Sequence, residues 1–196
     1  MGSGMSQILP GLYVGNMRDA KDVEQLEANK ISHILSIHDN AKPLLTNMTY
    51  LCVAAADHPD QNLSQHFEEC NNFIHECRLN GGTCLVHCIA GVSRSVTVTV
   101  AYMMTVTNCT WQECLRAARV AREVANPNFG FQKQLQDYQH STLASQREKI
   151  SKQFKASPFK DDETIKEHLS KENEKVVKDM ESTMYQLPPN AYATNN

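Results

Sequence analysis

The sequence predicts an α/β fold: a central twisted, mostly parallel sheet flanked by helices. Three observations carry that expectation. Short apolar runs at 32–38 (SHILSIH), 50–55 (YLCVAA) and 83–88 alternate with segments of helical period. The third run feeds a compact loop, His87-Cys88-Ile89-Ala90-Gly91-Val92-Ser93-Arg94-Ser95, at the strand end where such sheets gather ligands. The chain has 196 residues and 41% apolar content, which suits one core domain with an appendage.

The elements follow in order. Residues 8–16 read as a strand folded around a Pro10-Gly11 turn, and Asp19 is placed to cap a helix running to about Lys30. Strands at 32–38 and 50–55 come next. A polar loop over 57–64 ends at Ser64, the expected N-cap of a helix with Phe67, Cys70, Ile74 and Cys77 on one face. Asn80-Gly81-Gly82 stops it before the strand at 83–88. Residues 96–100 (VTVTV) alternate like a strand but are read as helix. A phosphate loop needs a helix N-terminus after it, and a helix buried all round can carry β-branched residues. Thr110-x-x-Glu113 is a capping box opening a helix with Trp111, Leu115 and Ala118 on one face. A last core helix begins near Gly130 and turns Phe131, Leu135 and Tyr138 inward.

Composition shifts near residue 145. Residues 146–196 hold nine basic and nine acidic residues with few large apolar ones. A thin stripe of Ile165, Leu169, Val176 and Met180 predicts a helix over 161–181, and 186–196 reads as disordered. The expected organisation is an N-terminal segment (1–4), a catalytic domain (5–145) and a charged tail (146–196).

The formal charge is −3, with no basic block to meet nucleic acid. No apolar run is long enough to span a membrane, and the start lacks a secretory apolar region. The seven cysteines are odd in number and form no Cys-x-x-Cys pair, so neither a disulfide framework nor a zinc site is expected. A reducing compartment suits them.

A phosphate monoester repels anionic attackers, so its hydrolysis needs neutralised charge, an ionised nucleophile and a protonated leaving group. Cys88 is the nucleophile. Backbone N–H groups of Ile89, Ala90, Gly91, Val92, Ser93 and Arg94 are expected to converge on the phosphate, with Gly91 allowing the curl. The planar fork of Arg94 grips two oxygens. The Ser95 hydroxyl reaches the sulfur and stabilises it as a leaving group. His87 fixes the loop by hydrogen bonding. Asp57, after a strand expected beside the Cys88 strand, is the candidate acid that later activates water, with Asp60 as runner-up. Cys84 reads as a buried core thiol, with a resolving-thiol role as the alternative.

The His87-Cys88-x5-Arg94-Ser95 loop resembles the protein tyrosine phosphatase signature in its dual-specificity form. The residues Leu9-Pro10-Gly11-Leu12-Tyr13-Val14-Gly15-Asn16, Ala101-Tyr102-Met103-Met104, Asn126-Pro127-Asn128-x-Gly130-Phe131 and Gln134-Leu135 agree with that family over about 5–145. The opening Met1-Gly2-x-Gly4-Met5 is similar to the small atypical, N-myristoylated branch. The resemblance implies the tyrosine-phosphatase-like fold and places the general acid on Asp57. It places a supporting asparagine on Asn128 and implies no metal or organic cofactor. One departure is Arg122-Glu123, where many relatives have Arg-Pro. The resemblance further implies a shallow pocket admitting phosphotyrosine, phosphoserine and phosphothreonine in proteins, and a role in JNK and related stress-kinase signalling.

Met-Gly-x-x-x-Ser makes Gly2 an acceptor for myristate. One acyl chain binds weakly and no polybasic patch follows. The expectation is a monomeric, cytoplasmic protein with reversible membrane association and the nucleus as a further location. A competing reading is a membrane-associated phosphoprotein-binding adaptor with incidental turnover; the presence of Cys88, Arg94 and Asp57 together disfavours it. A phosphoinositide phosphatase is disfavoured by the absence of lysine from the loop, and an RNA triphosphatase by a loop of another type and the absence of basic surroundings.

Overall fold

The computed structural model describes residues 4–185; Gly2 and the 186–196 segment lie outside them. Strand β1 (Ser6–Leu9) turns at Gly11 into β2 (Leu12–Gly15). Gly11 takes φ 74°, which a side chain resists. Helix α1 (Val23–Ala28), β3 (His33–Ile37), β4 (Thr49–Val53), α2 (Phe67–Leu79) and β5 (Cys84–His87) follow. Then come α3 (Arg94–Val106), α4 (Trp111–Ala121), α5 (Phe129–Ser141), α6 (Leu143–Gln153) and α7 (Asp161–Tyr185).

The strands form one sheet in the order β1-β2-β5-β3-β4. Only β1 and β2 pair antiparallel. The four parallel strands therefore end at one edge, and their C-terminal loops meet there. β4 was expected beside β5, but β3 stands between them. Asp57 reaches the same edge from one strand further out.

Helix α3 is the centre of the molecule. Every residue from Arg94 to Thr105 is buried, between the sheet and α2, α4, α5 and α6. That environment explains a VTVTV helix. All-round burial rewards branched apolar side chains, and threonine hydroxyls can turn back on their own helix. Thr97 Oγ1 donates to the Ser93 carbonyl at 2.8 Å, and Thr105 Oγ1 to Ala101 at 2.7 Å. The capping box of α4 is formed on both sides by Thr110 and Glu113.

Three expectations are corrected. Asp19 opens only one 3-10 turn, and Asp22 caps α1 by accepting from Gln25 N at 3.1 Å. Asp19 is buried instead, its carboxylate taking the Asn16 amide at 2.8 Å. Ser64 caps nothing: its hydroxyl donates to Asn62 Oδ1, and that oxygen accepts the Gln65 amide. The boundary expected at 145/146 falls inside α6, whose Ile150 is buried. Beyond it, Ile165 and Asp161 of α7 are also buried. Helix α7 runs parallel to α4, as Arg116–Glu172 (2.7 Å) and Glu123–Lys175 (3.3 Å) show.

Candidate active site

Cys88 leaves the end of β5 and begins a five-residue turn into α3. The turn's carbonyls are held away from its centre. Cys88 O faces His87 Nδ1 at 3.1 Å, and Ile89 O accepts from the Met17 amide at 3.1 Å. Gly91 O accepts from Arg122 Nε at 2.7 Å, and Val92 O from the Asn126 amide at 2.9 Å. With their carbonyls pinned outside, the peptide N–H groups face inward, as an anion nest requires. Gly91 takes φ 68°, and a Cβ there would stand 2.5 Å from the Gly15 carbonyl oxygen. Only glycine fits.

The Cys88 thiol lies inside that nest. The Gly91 amide donates to Cys88 Sγ at 3.2 Å, and the Ser95 hydroxyl lies 3.3 Å from it. Burial alone would raise the thiol's pKa. The Ser95 hydroxyl and the Ser95, Gly91 and Val92 amides together outweigh it and hold Cys88 below an ordinary thiol.

His87 is buried with its Nδ1 against the Cys88 carbonyl, which only accepts, so Nδ1 carries the proton. Burial drives its pKa to about 4. The lowered pKa keeps the buried ring neutral at neutral pH, with its Nδ1 proton on the Cys88 carbonyl.

Arg94 is 5% exposed at the base of the site. Its Nη1 donates to Asp39 Oδ2 at 2.9 Å and to the Ala55 carbonyl at 3.0 Å. Its buried Nε has no hydrogen-bond partner among the described residues, and so remains a donor available to an anion.

Asp57 stands at the mouth. One oxygen, Oδ1, accepts from the Ser93 hydroxyl at 2.8 Å and from Asn128 Nδ2 at 2.9 Å. The other, Oδ2, lies 4.0 Å from Arg94 Nε and carries no hydrogen bond among the described residues. Two donors orient the carboxylate through Oδ1 and leave Oδ2 facing Arg94. Asn128 also accepts the Phe131 amide as N-cap of α5, so the same residue fixes helix and acid. Asp60 is 93% exposed and faces His58, away from this cluster.

The structure therefore brings together Cys88, Arg94, Asp57, Ser95, the loop amides, His87 and Asn128. Cys84 is not among them. Its thiol pairs with Cys77, and it precedes Cys88 by four extended residue steps, about 13 Å. That is beyond disulfide reach. Reasoning from sequence missed Asp39, two residues past β3. It also missed Arg122 as a support: the side chain is 6% exposed and braces Gly91, Gly4 and Ser6. The Gln134 amide, which accepts from Leu63 and Ser64 and donates to Gln61, ties the Asp57 loop to α5. Gln134 was visible only as part of a motif. No cluster able to hold a metal ion occurs among the described residues.

A cysteine held below an ordinary thiol, a ring of amides, a buried guanidinium and an oriented carboxylate are the parts expected of a cysteine-dependent phosphatase. Residues 12–141 match the family described as dual specificity phosphatase, catalytic domain, and the chain belongs to that family. It is a dual-specificity protein phosphatase. It is 54% identical over 170 residues to dual specificity protein phosphatase 22 of Mus musculus, covering 87% of this chain and 92% of that one. Dual specificity protein phosphatase 15 of Mus musculus is 50% identical over 166 residues, covering 85% and 71%. The crystal structure of DUSP15 superposes with a TM-score of 0.77 at 50% identity, covering 80% of this chain and 100% of that one.

Proposed function

We propose that this phosphatase acts through a phosphocysteine intermediate on phosphotyrosine, phosphoserine and phosphothreonine in proteins. Cys88 attacks phosphorus in line with the leaving oxygen. The amides from Ile89 to Arg94 and the Arg94 fork hold the equatorial oxygens. Asp57 Oδ2 protonates the departing oxygen, then takes a proton from water as water attacks the phosphocysteine. Ser95 stabilises the sulfur as it leaves. The observation that carries this reading is Cys88 Sγ between the Gly91 amide and the Ser95 hydroxyl, which supports a thiolate.

Resemblance supports a place in JNK and related stress-activated kinase signalling. The Met-Gly-x-x-x-Ser start supports myristate on Gly2 and exchange between cytoplasm and membrane. The test is hydrolysis of an aryl phosphate by the wild type and Cys88→Ser, with rapid quenching into neutral denaturant to trap a phosphoenzyme. Turnover in the wild type, with neither turnover nor phosphoenzyme in Cys88→Ser, is expected. Equal rates in the two would end the proposal.

A further inference from the structure

The sheet order puts the Asp57 loop on the β4 side of the phosphate loop. On the other side, past the end of β2, lies a second hollow of ≈ 360 Å³. Ile89 and Val92 of the phosphate loop form one wall, so the hollow adjoins the site. Arg18, Asp19, Arg122 and Val124 are among its other lining residues.

Its charge is unbalanced. Arg18 and Arg122 face it with one carboxylate, Asp19. That carboxylate is already occupied by the Asn16 amide at 2.8 Å and Gln25 Nε2 at 3.3 Å, and it forms a salt bridge with neither arginine. Arg122 is committed to Gly91, Gly4 and Ser6. The exposed Arg18 guanidinium has no ion pair among the described residues. The apolar part of the rim is also open, with Ile89 at 49% and Val124 at 47% exposure.

A guanidinium beside exposed aliphatic carbon suits an acidic side chain, whose stem covers the apolar rim while its carboxylate meets the cation. The reach is short. Arg18 follows Met17, whose amide bonds the Ile89 carbonyl at 3.1 Å, and Ile89 follows Cys88. An extended substrate advances roughly 3.3 Å per residue, which brings positions one to three residues from the phosphorylated one over this hollow.

We infer that the hollow is a substrate subsite in which Arg18 receives a glutamate or aspartate flanking the phosphorylated residue. The subsite rests on the reading of the Cys88 loop as the phosphate site. Arg18 sets which phosphoprotein sequences are favoured, and takes no part in the chemical step.

The experiment compares kcat/KM for phosphopeptides carrying Glu or Lys at each position within three residues of the phosphoresidue, with para-nitrophenyl phosphate alongside. Wild type is expected to favour Glu over Lys at one or two of these positions by roughly fivefold at low ionic strength, as exposed ion pairs do. The ratio shrinks with added salt. Arg18→Ala brings the ratio toward one, and Arg18→Glu reverses it. An absent preference in the wild type, or an equal preference in Arg18→Glu, overturns the subsite while turnover of the aryl phosphate leaves the phosphatase reading standing. Failure to turn over the aryl phosphate would instead count against that reading.

Discussion

Arg78 and Asp161 stand 83 residues apart in the chain and 2.8 Å apart in space, with both guanidinium Nη atoms on the carboxylate. Their side chains are 0% and 4% exposed. Arg78 also donates to Tyr102 Oη at 2.8 Å and to the Pro10 carbonyl, and Phe159 covers its plane at 4.1 Å. The first residue of α7 thus closes a network that joins α2, α3 and the β1–β2 turn.

Removing one member of that pair leaves the other charged and buried. Asp161→Ala is expected to cost roughly 3–5 kcal/mol in urea unfolding. Replacing both partners with apolar residues, Arg78→Met with Asp161→Leu, should recover much of it. An Asp161→Ala protein as stable as the wild type would show that the start of α7 is not a structural part of the domain.

Asn128 is expected to act on catalysis through Asp57. Asp57→Ala should lower kcat by roughly 10²- to 10⁴-fold, the usual contribution of a general acid. Asn128→Ala should lower it by about tenfold, because the acid loses one of its two donors. In the double variant the losses should not multiply, since the asparagine has no acid left to hold. Multiplying losses would show that Asn128 works by another route.

His87 should make stability depend on pH. Its folded pKa is about 4 against an ordinary 6.5, so the unfolded chain binds the proton more readily. The neutral ring's contribution is then full above 6.5 and is lost as pH falls through 6.5 to 4, amounting to about 3 kcal/mol. Unfolding free energies of wild type and His87→Gln, measured from pH 7 to 4, should converge toward acid. A constant difference would contradict a buried neutral imidazole.

The legible parts of this chain were those in which one local segment holds a whole constraint. The Cys88 loop, the Pro10-Gly11 turn and the Thr110-x-x-Glu113 box each lie within ten residues. Even VTVTV could be read against its own alternation, because the loop before it demands a helix N-terminus. Asp57 and Asn128 were each found, but the hydrogen bond between them was not, since 71 residues separate acid from amide.

Long-range pairings hid the rest. Asp39 is one carboxylate among many until sheet order lays β3 beside β5 and brings it to Arg94. Asp19 has the look of a helix cap, and only the fold shows that it is buried while Asp22 caps the helix. The tail read as an appendage because a charged segment with a thin apolar stripe has no local reason to dock. The reason is Arg78, a buried cation whose counter-charge lies far along the chain.

The central claim is that Cys88 is a thiolate near neutral pH because the loop amides and Ser95 surround it. The most direct measurement is the rate of Cys88 alkylation by iodoacetate across pH, in wild type and Ser95→Ala. A midpoint well below the ordinary thiol value of about 8.5 is expected, with an upward shift on loss of the Ser95 hydroxyl. A midpoint at or above that value, unmoved in Ser95→Ala, would contradict it.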